Sequence, residues 1–205
     1  MEYIKNNKKS RIFVFEGIDN VGKTTIIKKL KSEISTKTKY NCFDIAFPGK
    51  EINTLGHLVY DIHHHQEKYF NEPINSTSLQ LLHVASHIDL LQRRIKPLSN
   101  NNDIILLDRF WWSTYVYGLA DNIRKDVIET IIAPELKYWE EIKINSIFLI
   151  EREKREQVYE KSKDEFIRNQ YRELALEDSE CIEIYNNDEL ISAVDKIYNI
   201  ILESS

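Results

Sequence analysis

A short glycine-containing loop constrains this chain more than any other feature. The apolar run RIFVF, residues 11–15, leads into EGIDNVGKTT, where Gly17, Gly22, Lys23 and Thr24 have the spacing G-x-x-x-x-G-K-S/T. A strand that turns through such a loop into a helix presents backbone N–H groups and the positive end of the helix dipole to an anion. The loop therefore predicts a phosphate site inside an α/β fold.

Each position of the loop has a physical reason. The two glycines permit a tight curl, the Lys23 ammonium can reach terminal phosphates, and the Thr24 hydroxyl can ligate Mg²⁺. GTPases, motor ATPases and small kinases all share this pattern. The chain is short and has no obvious switch or guanine-reading motif, which favours a small kinase that phosphorylates a second small molecule.

Apolar runs alternate with helical patterns along the whole chain. Such alternation predicts a parallel sheet covered by helices on both faces. The predicted strands are residues 11–15, 41–48, 104–108, 144–150 and 181–185. The predicted helices are residues 22–36, 55–70, 78–98, 113–138, a segment ending at 176, and 188–202.

Ligands of parallel sheets sit at the carboxyl ends of the strands. That rule places the segments 16–25, 47–50, 108–112 and 151–155 around one cleft. Asp108 ends a buried strand, and its carboxylate could hold a magnesium-bound water. Arg109 beside it could bind a phosphate with two N–H groups, although a strand-end Asp-Arg pair can also serve structure alone.

Composition narrows the choice of partners. The chain has 205 residues, 42% apolar and 30% charged, which suits a single domain over residues 1–205. A net charge of -5 argues against polymeric nucleic acid as the main partner. No apolar run approaches the roughly 18 residues of a membrane span, and the N-terminus lacks the apolar core of a secretion signal. We therefore expect a cytoplasmic protein with reduced thiols at Cys42 and Cys181.

The chain resembles the thymidylate kinase family of nucleoside monophosphate kinases in four segments. FEGIDNVGKTT is similar to the family's phosphate loop, and FPGK followed by TLG is similar to its second phosphate segment. LLHVASHIDLLQRRIKP is similar to the helix that carries base-binding residues, and LDRFWWSTYVYG is similar to the family's L-D-R-Y segment. Together they cover residues 11 to 118, whereas the C-terminal part agrees in pattern only.

The resemblance implies a P-loop kinase fold, with a five-stranded parallel sheet in the order 2-3-1-4-5 and a short lid at about residues 151–165. It implies transfer of the ATP γ-phosphate, with Mg²⁺, to a deoxynucleoside monophosphate, foremost dTMP to dTDP. It further implies a homodimer through the helices after strands two and three. In that strand order Cys42 and Cys181 lie on opposite edges, which excludes a disulfide.

The resemblance also assigns roles by matched position. Metal binding falls to Thr24 and Asp108. The residues implied for ATP binding are Gly17, Asn20, Val21, Gly22, Lys23, Thr24 and Thr25. Those implied for catalysis are Lys23, Asp19, Arg109, Arg152 and Arg155. Those implied for the acceptor are Asp19, Phe47, Lys50, His83, His87, Arg109, Ser113, Thr114 and Tyr117.

Several positions depart from the family pattern. His83 stands where the family stacks a Phe on thymine, and His87 stands where a family Arg reads a base oxygen. The two share one helix face, so they either contact the base or are ordinary polar helix residues. Lys50 keeps the positive charge of the family's phosphate-binding Arg, but it lacks the planar guanidinium that donates two parallel hydrogen bonds. The charged run that contains Arg152 and Arg155 either supplies a lid cation or is a solvated helix face.

Two rival functions remain open on the sequence. One is a kinase of the same fold that acts on another nucleotide or on a nucleoside, as the two histidines allow. The other is a nucleotide-binding regulatory protein without turnover, against which the joint presence of Lys23 and Arg109 argues. The run HHH at residues 63–65 suggests a metal site, but consecutive helical residues point about 100° apart and cannot easily share an ion.

Overall fold

A five-stranded parallel sheet forms the centre of the protein. The computed structural model describes residues 9–49, 51–152, 161–187 and 190–204. The strand order β2-β3-β1-β4-β5 is the predicted one. The strands are β1 Arg11–Glu16, β2 Cys42–Ala46, β3 Ile104–Asp108, β4 Ser146–Glu151 and β5 Cys181–Tyr185.

Helices connect successive strands in two packed groups. In one group α1 packs against α8, and in the other α5 packs against α3, α6 and α7. The described helices are α1 Lys23–Lys37, α2 Leu55–His64, α3 Ser76–Leu90, α4 Lys96–Leu98, α5 Trp111–Ala120, α6 Lys125–Trp139, α7 Lys161–Glu177 and α8 Leu190–Glu203. In the described part of the chain, no helix has both the length and the apolar character needed to cross a bilayer.

The helix boundaries differ from the sequence predictions at three places. The helix predicted for 55–70 ends at His64 and is followed by a 3₁₀ turn at Gln66–Lys68. The helix predicted for 78–98 passes through a π-helical turn at Leu91–Ile95. The helix predicted for 113–138 is two helices, because Asn122 has a left-handed backbone with φ of 62° and interrupts the helical path.

The middle strands make the core. In β1 and β3, the side chains of residues 12–15 and 104–107 are at most 1% exposed. Strands buried on both faces have no room for the polar half of an alternating pattern, which is why both segments are continuously apolar. The same burial leaves polar chemistry to the residues directly after the strands.

The two cysteines lie on the two edge strands of the sheet. Cys42 is in β2 and Cys181 is in β5, and both are free thiols. Burial raises the pKa of each thiol to about 12, so both stay protonated at neutral pH. The two strands lie at opposite edges of the sheet, as the predicted strand order requires.

Strand register aligns the polar loop residues at one edge of the sheet. Phe15 in β1 pairs with Asp108 in β3, and Asp108 also pairs with Ala46 in β2. The loops after β1, β2 and β3 therefore leave the sheet side by side, as the sequence predicted.

Candidate active site

The loop after β1 depends on glycine at two positions. Gly17 and Gly22 have φ angles of 130° and 99°, a region that side chains disfavour. A Cβ on Gly17 would overlap the carbonyl oxygen of Ile150, and one on Gly22 would lie 2.5 Å from the side-chain amide of Asn186. That amide donates a hydrogen bond of 2.7 Å to the Val21 carbonyl, so the chain after β5 supports the loop.

Lys23 begins α1 and folds back into the loop. Its ammonium donates hydrogen bonds of 2.7 Å to the carbonyl oxygens of both Gly17 and Ile18. The residue is only 5% exposed. Burial, followed by repulsion from Arg109, lowers the pKa of Lys23 to about 7. At neutral pH the amine is therefore only partly charged, and an anion bound beside it in this poorly solvated place would strongly favour its ammonium form.

Arg109 follows β3 and reaches the same loop. Its guanidinium donates to the Gly17 carbonyl at 3.3 Å and to the Ser113 hydroxyl at 2.8 Å, and it forms an ion pair with Asp19. Its backbone is left-handed, with φ of 74°. Lys23 and Arg109 therefore share one acceptor, the oxygen of Gly17, and lie on the same side of the sheet.

A buried carboxylate sits beneath Arg109. Glu16 is fully buried and accepts hydrogen bonds from the Phe110 amide at 2.9 Å and from the Ser113 amide at 3.2 Å. The Ser113 hydroxyl donates to it at 2.8 Å and lies 2.9 Å from the Tyr171 hydroxyl. Burial raises the pKa of Glu16, and the neighbouring Arg109 opposes that rise. These contacts fix the start of α5 and the direction of the Arg109 side chain.

Thr24 and Asp108 form an oxygen pair beside the loop. The Thr24 hydroxyl donates to the Asp108 carboxylate at 2.7 Å, across 84 positions of sequence. A hydroxyl and a carboxylate next to a phosphate site are ligands that suit Mg²⁺, which usually completes its shell with phosphate oxygens and water. Among the described residues, no cluster of three or more His, Cys, Asp or Glu side chains could hold a metal by itself.

One cavity of about 710 Å³ extends from the phosphate loop to α3 and α5. Its loop end is lined by Lys23, Thr24, Asp108 and Arg109. The remainder is lined mainly by neutral polar and aromatic side chains. These include Phe47, Tyr60, His63, His64, Gln80, His83, His87, Thr114 and Tyr117.

Histidines of α2 and α3 form much of the far wall. Nδ1 of His63 lies 2.9 Å from Nε2 of His83, so one ring donates and the other accepts. Burial lowers the pKa of His63 and lowers that of His83 well below its usual value, which keeps this pair neutral. Phe47 packs edge-on against His87 with ring centroids 4.7 Å apart.

Thr114 supplies a polar group without a partner. It is 3% exposed, lines the cavity, and its hydroxyl makes no hydrogen bond within the described part of the chain. A buried hydroxyl without a partner costs free energy, which a ligand with a matching polar edge would recover. Tyr117, on the same helix, lies with its ring centroid 5.4 Å from the Arg109 guanidinium carbon.

Comparison with known proteins fits this geometry. The family model for thymidylate kinase matches residues 15–197. The chain belongs to the thymidylate kinase family.

Relatives in this family match about three fifths of the chain. A thymidylate kinase of Thermoanaerobacter sp. (strain X514) is 37% identical over 124 residues, which are 60% of this chain and 58% of that protein. One of Mycoplasma capricolum is 33% identical over 120 residues, 57% of this chain and 53% of that protein. The matched region thus spans less than two thirds of these relatives.

Solved thymidylate kinases share the fold over nearly the whole chain. The enzyme from Ehrlichia chaffeensis gives a TM-score of 0.76 at 20% identity, over 95% of this chain and 100% of that one. The enzyme from Candida albicans gives a TM-score of 0.69 at 18% identity, over 95% of this chain and 92% of that one. The C-terminal part, which resembled the family in pattern only, therefore has the family fold.

Most site residues predicted from the thymidylate kinase resemblance lie around the one cavity. They are Asp19, Asn20, Gly22, Lys23, Thr24, Thr25, Phe47, His83, His87, Asp108, Arg109, Ser113, Thr114, Tyr117 and Arg152. Gly17 acts through its carbonyl oxygen, and the side chain of Val21 is 1% exposed in the core. Lys50, Arg155 and most of the predicted lid lie outside the described residues.

The sequence analysis missed several buried residues that hold the cavity-lining residues in place. Glu16 had a signal, since a charged residue ends an apolar strand directly before Gly17. Tyr171 and Glu135 had none, because their partners are 58 and 48 residues away along the chain. His63 and His64 were considered for a metal and instead line the cavity.

Proposed function

We propose that this chain transfers the γ-phosphoryl group of ATP to dTMP and so forms dTDP. The observation that carries the proposal is the shared Gly17 carbonyl, which holds Lys23 and Arg109 at one end of a single cavity. Phosphoryl transfer needs two phosphates held close together and their charge neutralised, more than it needs covalent chemistry. Two cations on one oxygen meet that need.

The remaining residues divide between the two nucleotides. Lys23 and the loop amides bind the ATP phosphates, and Arg109 binds the acceptor phosphate with its planar fork. Asp19, paired with Arg109, faces the acceptor sugar and phosphate. Thr24 and Asp108 would hold Mg²⁺, which supplies positive charge to the transferred group.

The base of the acceptor fits the far end of the cavity. Phe47, Gln80 and Thr114 offer an aromatic edge, an amide and a free hydroxyl there. A planar, uncharged base with polar edges suits such a wall better than a second phosphate does. Arg152 also lines the cavity, and we assign it and Arg155 to a lid over residues 151–165 that supplies positive charge during transfer.

We further propose that the protein is a cytoplasmic homodimer with one domain per chain. Leu55 and Leu58 in α2 and Leu81 in α3 are 37%, 44% and 50% exposed, so each of these two helices, which pack together, carries exposed apolar side chains. Pairing of two copies would bury these side chains. The two unpaired cysteines suit a reducing compartment.

An ADP-release assay over several acceptors tests the function. We expect ATP- and Mg²⁺-dependent turnover with dTMP that exceeds turnover with dCMP, dGMP, dAMP and thymidine. Preference for another acceptor would favour the rival kinase, which the histidine wall keeps open. ATP binding without turnover on any acceptor would favour a regulatory protein.

Two alanine variants separate the roles of the cations. Lys23→Ala should lower turnover at least about 100-fold, since it removes a cation aimed at the transferred phosphate. Arg109→Ala should raise the KM for dTMP far more than the KM for ATP. Lys31→Ala, on the exposed side of α1, is the matched control and should behave as the wild type. Equal KM changes for both nucleotides in Arg109→Ala would contradict the assignment.

A further inference from the structure

The side-chain amide of Asn186 holds one peptide group of the phosphate loop. Asn186 follows β5, is 8% exposed, and donates a hydrogen bond of 2.7 Å to the carbonyl oxygen of Val21. In the described part of the chain, that carbonyl accepts no other hydrogen bond. Because a carbonyl oxygen can only accept, the side-chain nitrogen of Asn186 must face it. One side chain therefore decides where this carbonyl points.

Buried contacts keep both ends of this hydrogen bond in place. The backbone N–H of Asn186 donates to the Glu151 carbonyl at 2.8 Å, which ties the residue to the end of β4. Its side-chain nitrogen comes so close to Gly22 that a Cβ there would lie 2.5 Å away. The side chain of Val21 is 1% exposed and packs in the core. The bond is thus part of a fixed framework behind the loop.

The direction of the Val21 carbonyl dictates the direction of the next N–H. The peptide bond between Val21 and Gly22 is trans. In a planar trans peptide the C=O and the N–H of the same unit point in opposite directions. Gly22 lines the cavity, whereas Asn186 lies outside its wall. Since Asn186 holds the carbonyl on the side away from the cavity, the Gly22 N–H points into it.

The Gly22 N–H is a donor without a protein acceptor. It makes no hydrogen bond to any residue within the ranges that the structure describes. Gly22 directly precedes α1, and Lys23 begins that helix. Unpaired amides and the positive end of a helix dipole favour an anion at such a place. A phosphate oxygen there would give the amide a charge-assisted hydrogen bond.

We propose that Asn186 is a positioning residue for ATP, which aims the Gly22 N–H at a phosphate oxygen by holding the Val21 carbonyl from behind. The inference rests on the proposed function, since it takes ATP as the ligand of the phosphate loop. Without the Asn186 amide the Val21–Gly22 peptide group can turn, because glycine permits a wide range of backbone angles. The donor then loses its direction, although every group that touches the phosphates is still present.

The sequence allows this single peptide group to be observed by NMR. The chain has five glycines, and Gly22 is the one that follows a valine. Valine labelled with ¹³C at the carbonyl and glycine labelled with ¹⁵N therefore give one signal that joins the Val21 carbonyl to the Gly22 amide. We expect ADP to move the Gly22 amide proton of the wild type to higher frequency, as a hydrogen bond to an anion does. A Gly22 signal that ADP leaves in place would overturn the inference.

Two variants of Asn186 test its part in this geometry. Asn186→Leu keeps a side chain of similar size but removes the donor, and Asn186→Ala serves if the leucine prevents folding. In either variant the Val21 carbonyl carbon should move to lower frequency, since it has lost its hydrogen bond, and ADP should move the Gly22 amide proton less than in the wild type. A Val21 and Gly22 signal that responds as in the wild type would overturn the inference.

Calorimetric binding of ADP and dTMP measures the consequence for the nucleotides. The affinity for ADP should fall about tenfold or more in the Asn186 variants, because a misdirected donor forfeits a hydrogen bond to a charged group. The affinity for dTMP should stay near the wild-type value, because Arg109 and its partners are untouched. A loss of dTMP affinity as large as that of ADP affinity would overturn the inference, since it would show a general disturbance of the fold.

Asn145→Leu is the matched control. The side-chain oxygen of Asn145 accepts a hydrogen bond of 2.9 Å from the Ile12 amide, so this asparagine also holds backbone, but near the start of β1 and away from the loop. Asn145→Leu should lose stability in urea unfolding, as Asn186→Leu does, and keep the wild-type affinity for ADP. Equal losses of ADP affinity in both variants, or no loss in Asn186→Leu, would overturn the inference.

The outcomes also separate this inference from the proposed function, because none of these measurements needs turnover. The expected changes in a protein that transfers no phosphoryl group support the inference and refute the function. Turnover with dTMP in a protein whose Gly22 signal ignores ADP overturns the inference and leaves the function standing. A wild type that does not bind ADP overturns both.

Discussion

The carbonyl oxygen of Gly17 organises the site at the scale of single residues. It accepts from Lys23 at 2.7 Å and from Arg109 at 3.3 Å, so two cations that start 86 positions apart meet at one atom. Glu16, the residue before Gly17, holds the amides of Phe110 and Ser113 and so fixes the segment that carries Arg109. The buried carboxylate of Glu16, at the end of β1, thus offsets part of the positive charge of Arg109.

The lowered pKa of Lys23 predicts a pH dependence of stability. The pKa of Lys23 is about 7 in the folded protein against an ordinary value of 10.5, so between these values the unfolded chain holds a proton that the folded protein has lost. Stability from this group is therefore lowest near and below pH 7 and rises as the pH increases. Lys23→Met should remove that rise, which amounts to up to about 1.4 kcal/mol per pH unit.

Urea unfolding of both proteins across this pH range measures the effect. The wild-type free energy of unfolding should rise more steeply with pH than that of Lys23→Met. Lys31→Met, at an exposed position of the same helix, should follow the wild type. Parallel curves for the wild type and Lys23→Met would contradict the assignment of a buried, weakly basic lysine.

The sequence predicted those site residues that belong to a short motif. It missed those site residues whose partners are far away along the chain. The phosphate loop was predictable because its defining residues, from Gly17 to Thr24, lie within eight consecutive positions. Glu135 and Tyr171 act through partners on other helices, and neither has a neighbour in sequence that points to the site. Tertiary contacts of this kind arise only after the helices pack.

At the scale of elements, a close contact between α2 and the loop after β2 shapes the part of the cavity proposed for the acceptor. A Cβ on Gly56, in the first turn of α2, would overlap the carbonyl oxygen of Pro48. The helix can therefore approach the segment 47–49 only because residue 56 has no side chain. Phe47 and Pro48 both line the cavity, so this approach sets the position of part of its wall.

Gly56→Ala and Gly118→Ala form a matched pair that tests this contact. Both glycines are helical, so alanine alone would favour each helix by about 0.5–1 kcal/mol. At Gly56 the obstacle is backbone, and we expect a net loss of about 1–3 kcal/mol and weaker acceptor binding. At Gly118 the obstacle is the side chain of Ile128, whose Cδ1 and Cγ1 would lie 2.6 and 2.9 Å away, and a side chain can shift at lower cost than backbone.

Denaturant unfolding and dTMP titration measure both effects. Gly118→Ala should lose less stability than Gly56→Ala and keep its acceptor affinity. If Gly56→Ala is as stable as Gly118→Ala, the Pro48 contact does not limit the approach of α2.

Strands and helices were predictable from the sequence where their burial requires a recognisable pattern of apolar residues. The strands β3 and β5 are found at the predicted residues, because a short apolar run between polar turns is typical of a buried strand. The helix from 113 to 138 was wrong as one element, since the interruption depends on the left-handed backbone of Asn122. The π-helical turn at Leu91–Ile95 likewise has no sequence signal of its own.

At the scale of the whole molecule, the strand order depended on family resemblance. Alternating strands and helices predicted a parallel sheet, but many orders satisfy that pattern. The order β2-β3-β1-β4-β5 brings the loops after β1 and β3 together, which joins Thr24 to Asp108 and Lys23 to Arg109. The cavity is therefore a product of topology more than of any one segment.

The proposed dimer predicts a change in mass for one surface variant. Leu81→Arg places a charge at one of the exposed apolar positions of α3, and an unpaired charge buried in an interface opposes association. Sedimentation velocity should show a species of two chains for the wild type and a shift toward one chain for Leu81→Arg. Leu176→Arg, at an 88% exposed position of α7, should sediment as the wild type. A wild type that sediments as a single chain would refute the dimer.

The sharing of one carbonyl oxygen by Lys23 and Arg109 also limits how such a protein can evolve. Under the proposed function, a mutation that shifts the Gly17 peptide group would disturb the binding of ATP and of the acceptor together, so it is a poor route to a new acceptor. Replacements in α3, like the histidines at 83 and 87, leave that oxygen untouched. Under the same proposal, divergence in acceptor choice is expected to accumulate on α3, whose side chains line the cavity, while the residues around the Gly17 oxygen stay fixed.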